Sequence, residues 1–257
     1  MNVLVTGVPG WLGTRFLEIL VHGFEEGQGP ALPWDRIRCV VEPGAETREI
    51  EELSPRIEIA RADITQNALH RVCEGMDVLF HIAGIIHPPI FHVRRVYDIN
   101  TRGTRHLLHA AADSGVQRFV YVSSNSPAGL NPSAHEPFTE ESPYRPYMNY
   151  GLSKYYAELE VRSFHDAGRI ETVILRPCWF YGPCQPARQT RFFKMIGSGK
   201  PVVFGSGLNL RSMSYVDNTC QALILAARSE KAAGNLYWIA DRRPYSMLEI
   251  YETVADL

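Results

Sequence analysis

The chain has 257 residues, of which 45% are hydrophobic and 21% are charged, and its formal net charge is −2 at pH 7. These values are ordinary for a globular protein and do not favour binding to nucleic acid or to an anionic membrane. No apolar run approaches the ~18–20 residues that cross a bilayer. The five cysteines contain no Cys-x-x-Cys pair, and the chain opens directly in a strand pattern without a signal peptide, so a cytoplasmic location is expected.

The first motif is a glycine turn between a strand and a helix. Residues 2–6 form a short apolar run that is typical of a buried parallel strand, and helical spacing begins at Trp11. Between them, Gly7, Gly10 and Gly13 are spaced Gly-x-x-Gly-x-x-Gly. Such a turn lets the backbone approach a pyrophosphate, and the helix N-terminus supplies N–H donors. The alternative is that the glycines serve only a tight turn.

Strand and helix patterns then alternate along the chain. Strands are predicted at residues 37–41, 57–60, 77–82, 118–123 and 171–176, and the clearest helices at residues 93–114 and 153–167. This alternation predicts an α/β fold in which helices cover both faces of a parallel sheet. Two segments interrupt it. Residues 22–36 are predicted to be a surface insertion, and residues 127–146, with five prolines, a loop that covers the functional site.

Tyr150 and Lys154 lie four residues apart at the start of a predicted helix, so they share one helical face. A free tyrosine has a pKa near ~10. A neighbouring cation favours the phenolate and lowers this pKa toward the range that suits general acid–base catalysis. Alone, the pair is a weak signal, because most pairs with this spacing are coincidences on a helix surface.

Eight short motifs occur in a fixed order along the chain. They are Gly7-x-x-Gly10-x-x-Gly13, Asp63-Ile64, His81-x-Ala83-Gly84, Asn100-x-x-Gly103-Thr104, Ser123-Ser124, Tyr150-x-x-x-Lys154, Arg176-Pro177-x-x-x-Tyr181-Gly182-Pro183 and Arg211-x-x-x-Tyr215-Val216-Asp217. Together they resemble the extended short-chain dehydrogenase/reductases, within the NAD-dependent epimerase/dehydratase group. The resemblance implies a Rossmann-type, doubly wound parallel sheet in residues 1–177. It also implies a small, partly interleaved substrate-binding region in residues 178–257.

The resemblance further implies an NAD-dependent enzyme with a catalytic serine, tyrosine and lysine. Tyr150 would move a proton at a substrate oxygen, Lys154 would hold the phenolate form and bond the nicotinamide ribose, and Ser124 would orient the same oxygen. Ser123 and Ser126 are alternatives for the serine role. The expected cofactor contacts are Gly7, Gly10, Trp11, Leu12, Gly13, Glu42, Asp63, Ile64, His81, Ala83, Gly84, Asn100, Ser123, Tyr150, Lys154 and Pro177.

The choice between NAD and NADP depends on the end of the second predicted strand. Glu42 follows this strand, where an acid bonds the ribose hydroxyls and repels a 2′-phosphate. Its distance along the chain from Gly13 exceeds the usual ~20 residues, and the insertion at residues 22–36 accounts for the excess. NAD is therefore expected. NADP is the alternative, because Arg38 and Arg48 lie nearby in the sequence.

The substrate is expected to be a small molecule, with a sugar nucleotide as the first choice. Arg211 matches an arginine that contacts the diphosphate in sugar-nucleotide enzymes of the family, and Arg188 and Ser126 are further candidate contacts. Epimerases, dehydratases, and simple alcohol dehydrogenases or ketone reductases share these motifs, so the reaction stays open. A non-catalytic dinucleotide-binding regulatory protein is the other class, and the Tyr150/Lys154 pair weighs against it.

Three further expectations follow. No metal site is predicted, because the nine histidines include no His-x-x-x-His with a carboxylate. A homodimer is expected, because the helix at residues 93–114 packs against its twin in many dimers of the family. The chain ends inside a predicted helix that begins after Ser246, so the substrate-binding region is expected to be truncated or reduced.

Overall fold

The computed structural model describes residues 1–24, 33–86, 92–133, 136–199, 201–203 and 205–256. Its strands are β1 (Asn2–Thr6), β2 (Arg36–Val41), β3 (Ile57–Arg61), β4 (Val78–His81), β5 (Arg118–Val122), β6 (Glu171–Pro177), β7 (Trp179–Tyr181), β8 (Leu210–Arg211), β9 (Met213–Tyr215), β10 (Leu236–Ile239) and β11 (Tyr245–Ser246). The six predicted strands are confirmed as β1 to β6, to within one residue at each end. Strands β7 to β11 were not predicted.

Seven of these strands form one parallel sheet in the order β10-β6-β5-β4-β1-β2-β3. The chain runs outward from β1 through β2 and β3, and then returns to β4 on the other side of β1. This reversal places the topological switch point between β1 and β4, where a crevice forms at the carboxyl ends of the strands. Because β10 comes from the C-terminal region, the two predicted regions are interleaved, and the predicted Rossmann-type sheet is confirmed.

Nine α-helices lie in the described part of the chain: α1 (Trp11–His22), α2 (Arg48–Glu51), α3 (His70–Cys73), α4 (Val93–Tyr97), α5 (Thr104–Asp113), α6 (Met148–Asp166), α7 (Ala187–Gly197), α8 (Val216–Arg228) and α9 (Met247–Ala255). The helix predicted at residues 93–114 is divided by a π-helical segment, Asp98–Gly103. None of the helices in these ranges combines the length and the hydropathy needed to span a bilayer. The described residues of segment 127–146 contain no helix or strand, whereas most of the predicted 22–36 insertion lies outside the described residues.

Hydrophobic cores lie on both faces of the sheet, because side chains alternate along each strand. In β1, Val3 and Val5 pack into the core under α1 and α8, whereas Leu4 packs into the core under α5 and α6. The helices present matching apolar faces, with Phe16 of α1 in the first core and Leu107 of α5 in the second. Burial on both faces explains why central strands such as β1 and β4 are largely apolar runs in the sequence.

A buried ion pair joins α6 to β6. The guanidinium of Arg176 donates to Glu158 through Nε, at 2.9 Å, and through Nη2, at 2.6 Å, and both side chains are essentially inaccessible to solvent. Ser123 and Tyr144 also donate their hydroxyls to this carboxylate. Four donor groups thus surround the buried carboxylate of Glu158. They come from β6, from the loop after β5 and from the proline-rich loop before α6.

The proline-rich loop is held against the edge of the sheet. Phe138 stacks on Trp238 of β10, with ring centroids 5.3 Å apart and planes within 3° of parallel. The indole Nε1 of Trp238 donates to the carbonyl of Thr139 at 2.9 Å. The guanidinium of Arg176 lies over the rings of Tyr144 and Trp238, at 4.9 and 5.3 Å. The loop, β6 and β10 therefore share one aromatic and cationic contact.

We predict that Glu158→Gln lowers the free energy of unfolding by about 3–5 kcal/mol, because it leaves the buried Arg176 cation without its counter-charge. Urea denaturation measures this change. The control is Glu52→Gln, which removes the partner of Arg48 in a solvent-exposed pair on one helical turn. Its effect should stay below ~0.5 kcal/mol. Similar small losses in the two variants would contradict the prediction.

Candidate active site

A cavity of about 890 Å³ opens at the switch point between β1 and β4. It is bounded by the loops that follow β1, β2, β3 and β4 and by the helical segment from α4 to α5. Its lining residues are Thr6, Gly7, Val8, Pro9, Gly10, Val40, Glu42, Ala45, Ala62, Asp63, Ile64, Thr65, Gln66, Asn67, Ala83, Gly84, Ile85, Arg95, Asp98, Ile99, Arg102 and His106. Seven of the expected cofactor contacts are among them: Gly7, Gly10, Glu42, Asp63, Ile64, Ala83 and Gly84.

The three glycines of the first motif pack against one carbonyl group. A Cβ on Gly10 would lie 2.7 Å from the carbonyl oxygen of Gly7, and a Cβ on Gly13 would overlap the same oxygen. Gly7 itself has φ +91°, and a Cβ there would lie 2.7 Å from the backbone nitrogen of Ala83. Only glycine fits these positions, so the turn leaves bare backbone before the N-terminus of α1. This cradle suits a pyrophosphate group.

Trp11 and Leu12, which were expected to contact the cofactor, are used in packing. The indole Nε1 of Trp11 donates to the carbonyl of Pro183 at 2.7 Å, and Leu12 is buried in the core under α1. Neither side chain lines the cavity. Their backbone N–H groups belong to the first turn of α1, where N–H groups lack helical acceptors.

The end of the cavity beside β2 and β3 carries two carboxylates. Glu42 directly follows β2, and Asp63 follows β3. Asp63 accepts hydrogen bonds from the backbone nitrogen and the hydroxyl of Thr65, at 2.9 and 2.8 Å, and these bonds lower its pKa. Ile64 lines the cavity beside it and packs so closely on Gly103 that a Cβ there would lie 2.9 Å from its Cδ1.

The two arginines suggested as binding groups for NADP do not reach the cavity. Arg38 is buried and donates to the carbonyls of Val72 and Glu74, at 2.9 and 3.0 Å. Arg48 is exposed and pairs with Glu52. That suggestion was wrong for both residues. The basic residues that do line the cavity are Arg95, Arg102 and His106, whose spacing along one helical segment was the signal that could have found them.

His81 was expected to contact the cofactor, but its ring is fully buried. Its Nδ1 lies 2.8 Å from the hydroxyl of Thr6, and its Nε2 lies 2.9 Å from the hydroxyl of Thr104. Since Thr104 donates its own proton to the carbonyl of Asn100, it must accept a proton from Nε2. Burial lowers the pKa of His81 to about 3, with a smaller contribution from Lys154. The side chain is therefore a neutral brace between β1, β4 and α5 rather than part of the cavity wall.

The side chain of Asn100 is bonded to the backbone of Ile85 in the loop after β4. Its side chain accepts from the nitrogen of Ile85 and donates to the carbonyl of Ile85, both at 2.9 Å, and it donates to Ser153 of α6 at 3.0 Å. The π-helical segment presents this amide, and such segments are frequent at functional sites. Asn100 thus fixes the loop after β4, which lines the cavity, but its buried side chain does not line the cavity itself.

The three candidate serines have different surroundings. The side chain of Ser124 acts to lower the pKa of Tyr150, and its hydroxyl donates to Oδ1 of Asn125 at 3.1 Å. Ser126 lies beside Ser124, with hydroxyl oxygens 3.2 Å apart. Ser123 turns away from this group and donates to Glu158. A Cβ on Gly151 would lie 2.7 Å from the carbonyl of Ser126, so a glycine after Tyr150 lets α6 close onto this loop.

Lys154 lies one turn along α6 from Tyr150, and neither of these expected cofactor contacts lines the cavity. Its Nζ donates to the carbonyl of Val122 at 2.7 Å, and a Cβ on Gly84 would lie 3.6 Å from it. Burial lowers the pKa of Lys154 to about 7, and Glu158 opposes this change. Burial raises the pKa of Tyr150, against the hydrogen bond from Ser124. The expected lowering by Lys154 is therefore not seen, because its ammonium is directed to the end of β5.

Pro177, an expected cofactor contact, ends β6 and does not line the cavity. The described candidate substrate contacts also lie apart from the cavity lining. Arg211 of β8 is exposed, with its guanidinium 4.4 Å above the ring of Trp179. Arg188 lies in α7, but its side chain is outside what the structure describes. Only Ser126 is in contact with the group around Tyr150.

We predict that Gly13→Ala lowers the free energy of unfolding by about 1–3 kcal/mol and weakens dinucleotide binding, because its methyl group overlaps the Gly7 carbonyl. Thermal unfolding and a binding titration measure the two effects. Gly197→Ala is the matched control, since this helical glycine has open space around it. Its free energy of unfolding should rise by ~0.5–1 kcal/mol. Two variants of equal stability would overturn the prediction.

The chain is similar in sequence and in fold to several known proteins. An uncharacterised protein y4nL of Sinorhizobium fredii is 46% identical, over 98% of this chain and 71% of the relative. An N-acetyl-α-D-glucosaminyl-diphospho-ditrans,octacis-undecaprenol 4-epimerase of Escherichia coli O157:H7 is 27% identical over the same shares. The crystal structure of DesIV, a dTDP-glucose 4,6-dehydratase of Streptomyces venezuelae with NAD and TYD bound, superposes with a TM-score of 0.86. It is 28% identical and matches 100% of this chain and 80% of that one.

The family described as the NAD dependent epimerase/dehydratase family has a model that matches residues 3–240. That range includes the glycine turn, the cavity and the group around Tyr150. The chain belongs to the NAD-dependent epimerase/dehydratase family.

Proposed function

We propose that this chain is an NAD-dependent enzyme that acts at a hydroxyl- or carbonyl-bearing carbon of a sugar nucleotide. The observation that carries the proposal is the group beside Gly84 of the cavity wall: Ser124 acts to lower the pKa of Tyr150, and Lys154 lies one helical turn away, next to Gly84. The 4-epimerase and the 4,6-dehydratase described above support the substrate class, because both names specify a sugar joined to a diphosphate.

Each member of this group has a separate role. The phenolate form of Tyr150 would take the proton of the substrate hydroxyl, and the phenol formed in this way would return it to the oxygen in the reverse step. Ser124 donates to the same oxygen and fixes its position. The ammonium of Lys154, which donates to the carbonyl of Val122 in this structure, would bond the nicotinamide ribose. A bound NAD would supply the hydride-transfer chemistry at the carbon that carries this oxygen.

The described residues also suggest which reaction is favoured. Loss of water needs an acid for the departing hydroxyl and a base for the carbon-bound proton, in addition to Tyr150. Among the described hydrogen bonds of Ser124, Tyr150 and Lys154, none involves a carboxylate. The nearby carboxylate of Glu158 is enclosed by Arg176 and two hydroxyls. We therefore favour epimerisation or simple oxidation and reduction over dehydration.

We assign the cofactor to the cavity and the substrate to the region beyond it. Residues 1–177 would supply most of the dinucleotide site, with Gly7, Gly10 and Glu42 as its principal contacts. Residues 178–257 would supply substrate contacts, with Arg211 and Arg188 directed to the diphosphate. The unpaired cysteines support a cytoplasmic location, because that compartment keeps thiols reduced.

We further propose that two copies associate through α4 and α6. These helices pack together through Tyr97, whose hydroxyl donates to Asn149 at 2.9 Å, and they leave Leu159 and Tyr156 41% and 43% exposed. Leu159→Glu should convert the dimer to a monomer in analytical ultracentrifugation, because it places a charge in an apolar interface. Leu225→Glu, at an exposed position of α8, is the control and should sediment as the parent does. A monomeric parent would refute the dimer.

The proposed function is tested by incubation with NAD and a panel of UDP- and dTDP-sugars, followed by mass spectrometry. A new isomer of unchanged mass indicates epimerisation, loss of water indicates dehydration, and loss of two hydrogens indicates oxidation. Tyr150→Phe keeps the ring and removes the hydroxyl, so turnover should fall by about 10²–10⁴. Tyr156→Phe, on an exposed face of the same helix, should keep full turnover. Full activity of Tyr150→Phe would refute the assignment.

A further inference from the structure

Side chains of both signs meet at the end of the cavity beside β2 and β3. Glu42 and Asp63 supply carboxylates there, and Arg95, Arg102 and His106 supply basic groups. The site is therefore not purely acidic, and each basic group can pair with a different partner.

Two of the three basic groups are already engaged. Arg102 donates to Asp98, one turn earlier on its own helix, at 2.8 Å. The Nδ1 of His106 lies 3.3 Å from the carbonyl of Ile64. Arg95 is the group that faces Glu42: its Nη2 lies 3.7 Å from the carboxylate Oε1.

The contact between Arg95 and Glu42 is electrostatic rather than a fixed hydrogen bond. A separation of 3.7 Å exceeds hydrogen-bond length, and the two side chains are 61% and 71% exposed. The charge of Arg95 also contributes to the low pKa of Asp63, after the hydrogen bonds from Thr65 and Gln66. Since Asp63 is already held by these bonds, Glu42 is the carboxylate free to pair with Arg95.

We propose that Arg95 is a second determinant of cofactor choice, neutralised by Glu42 and able to bind the 2′-phosphate of NADP when Glu42 is replaced by a neutral residue. The inference rests on the NAD site proposed above. Arginine binds phosphate through paired N–H donors, and a carboxylate in front of it both neutralises its charge and repels the phosphate. Arg38 and Arg48, the nearby arginines in sequence, are engaged elsewhere.

The turn that carries Glu42 does not depend on its carboxylate. Arg61 of β3 donates to the carbonyls of Pro43 and Ala45, at 3.2 and 2.9 Å, and to the hydroxyl of Thr47 at 3.1 Å. The carbonyl of Glu42 accepts from the nitrogen of Ala45. A substitution of the Glu42 side chain therefore leaves these bonds in place, and the variant is expected to fold.

Calorimetric titration of NAD and NADP tests the proposal without an assay of activity. The proteins are the unchanged chain, Glu42→Gln, Arg95→Gln and the double variant. Glu42→Gln should bind NADP at least about tenfold more tightly than the unchanged chain, as expected of a charge-assisted bond to phosphate. The double variant should lose about tenfold of that affinity. Arg95→Gln alone should bind NAD nearly as the unchanged chain does.

Arg94→Gln, introduced together with Glu42→Gln, is the matched control. It removes the same charge from the same helix at an exposed position that does not line the cavity, so the gain in NADP affinity should remain. An equal gain in the Glu42→Gln/Arg95→Gln variant would overturn the proposal and point to Arg102 or His106. No gain in Glu42→Gln would also overturn it. If the unchanged chain binds neither nucleotide, the proposed NAD site itself fails.

Discussion

All seven strands of the central sheet run in the same direction, and this constraint determines where the chemistry can occur. Parallel strands need a crossover after each strand, so the loops that begin these crossovers leave from one edge. The glycine turn, the Glu42 turn, the Asp63 loop and the Ser124 loop all lie there. The reversal between β1 and β4 parts the crossover helices at that edge, and the cavity occupies the gap.

Several motif residues act by holding this edge in shape. The polar atoms of His81 and Asn100 form hydrogen bonds with hydroxyls and backbone groups of neighbouring segments. The hydroxyl of Ser123 donates a hydrogen bond to Glu158. Asp217, at the end of the Arg211 motif, accepts hydrogen bonds from Nε and Nη2 of Arg15, at 2.7 and 2.8 Å. These bonds link α8 to α1. Buried polar groups of this kind are costly unless fully bonded, and most of their hydrogen-bonding capacity is used here.

The sequence was most informative where burial repeats over several residues. The inner strands β1, β4 and β5 are buried and rich in apolar residues, whereas β8 and β11 have two residues each and no period to detect. Motif spacing located Tyr150 and Lys154 on one helical face, but it could not reveal that Nζ of Lys154 turns to the carbonyl of Val122. Arg95 escaped notice because its partner, Glu42, is distant in the chain and adjacent only after folding.

The stack of Phe138 on Trp238 limits how segments could be exchanged between members of the family. A hybrid joined after residue 177 would take β10 from one parent, while β6 and the proline-rich loop came from the other. The foreign strand would then have to reproduce both the parallel pairing with β6 and the aromatic surface that receives Phe138 and Arg176. A junction after Ile239 keeps these partners together. A segment exchanged between relatives should therefore extend past Tyr150 and Lys154 to β10, the last strand of the sheet along the chain.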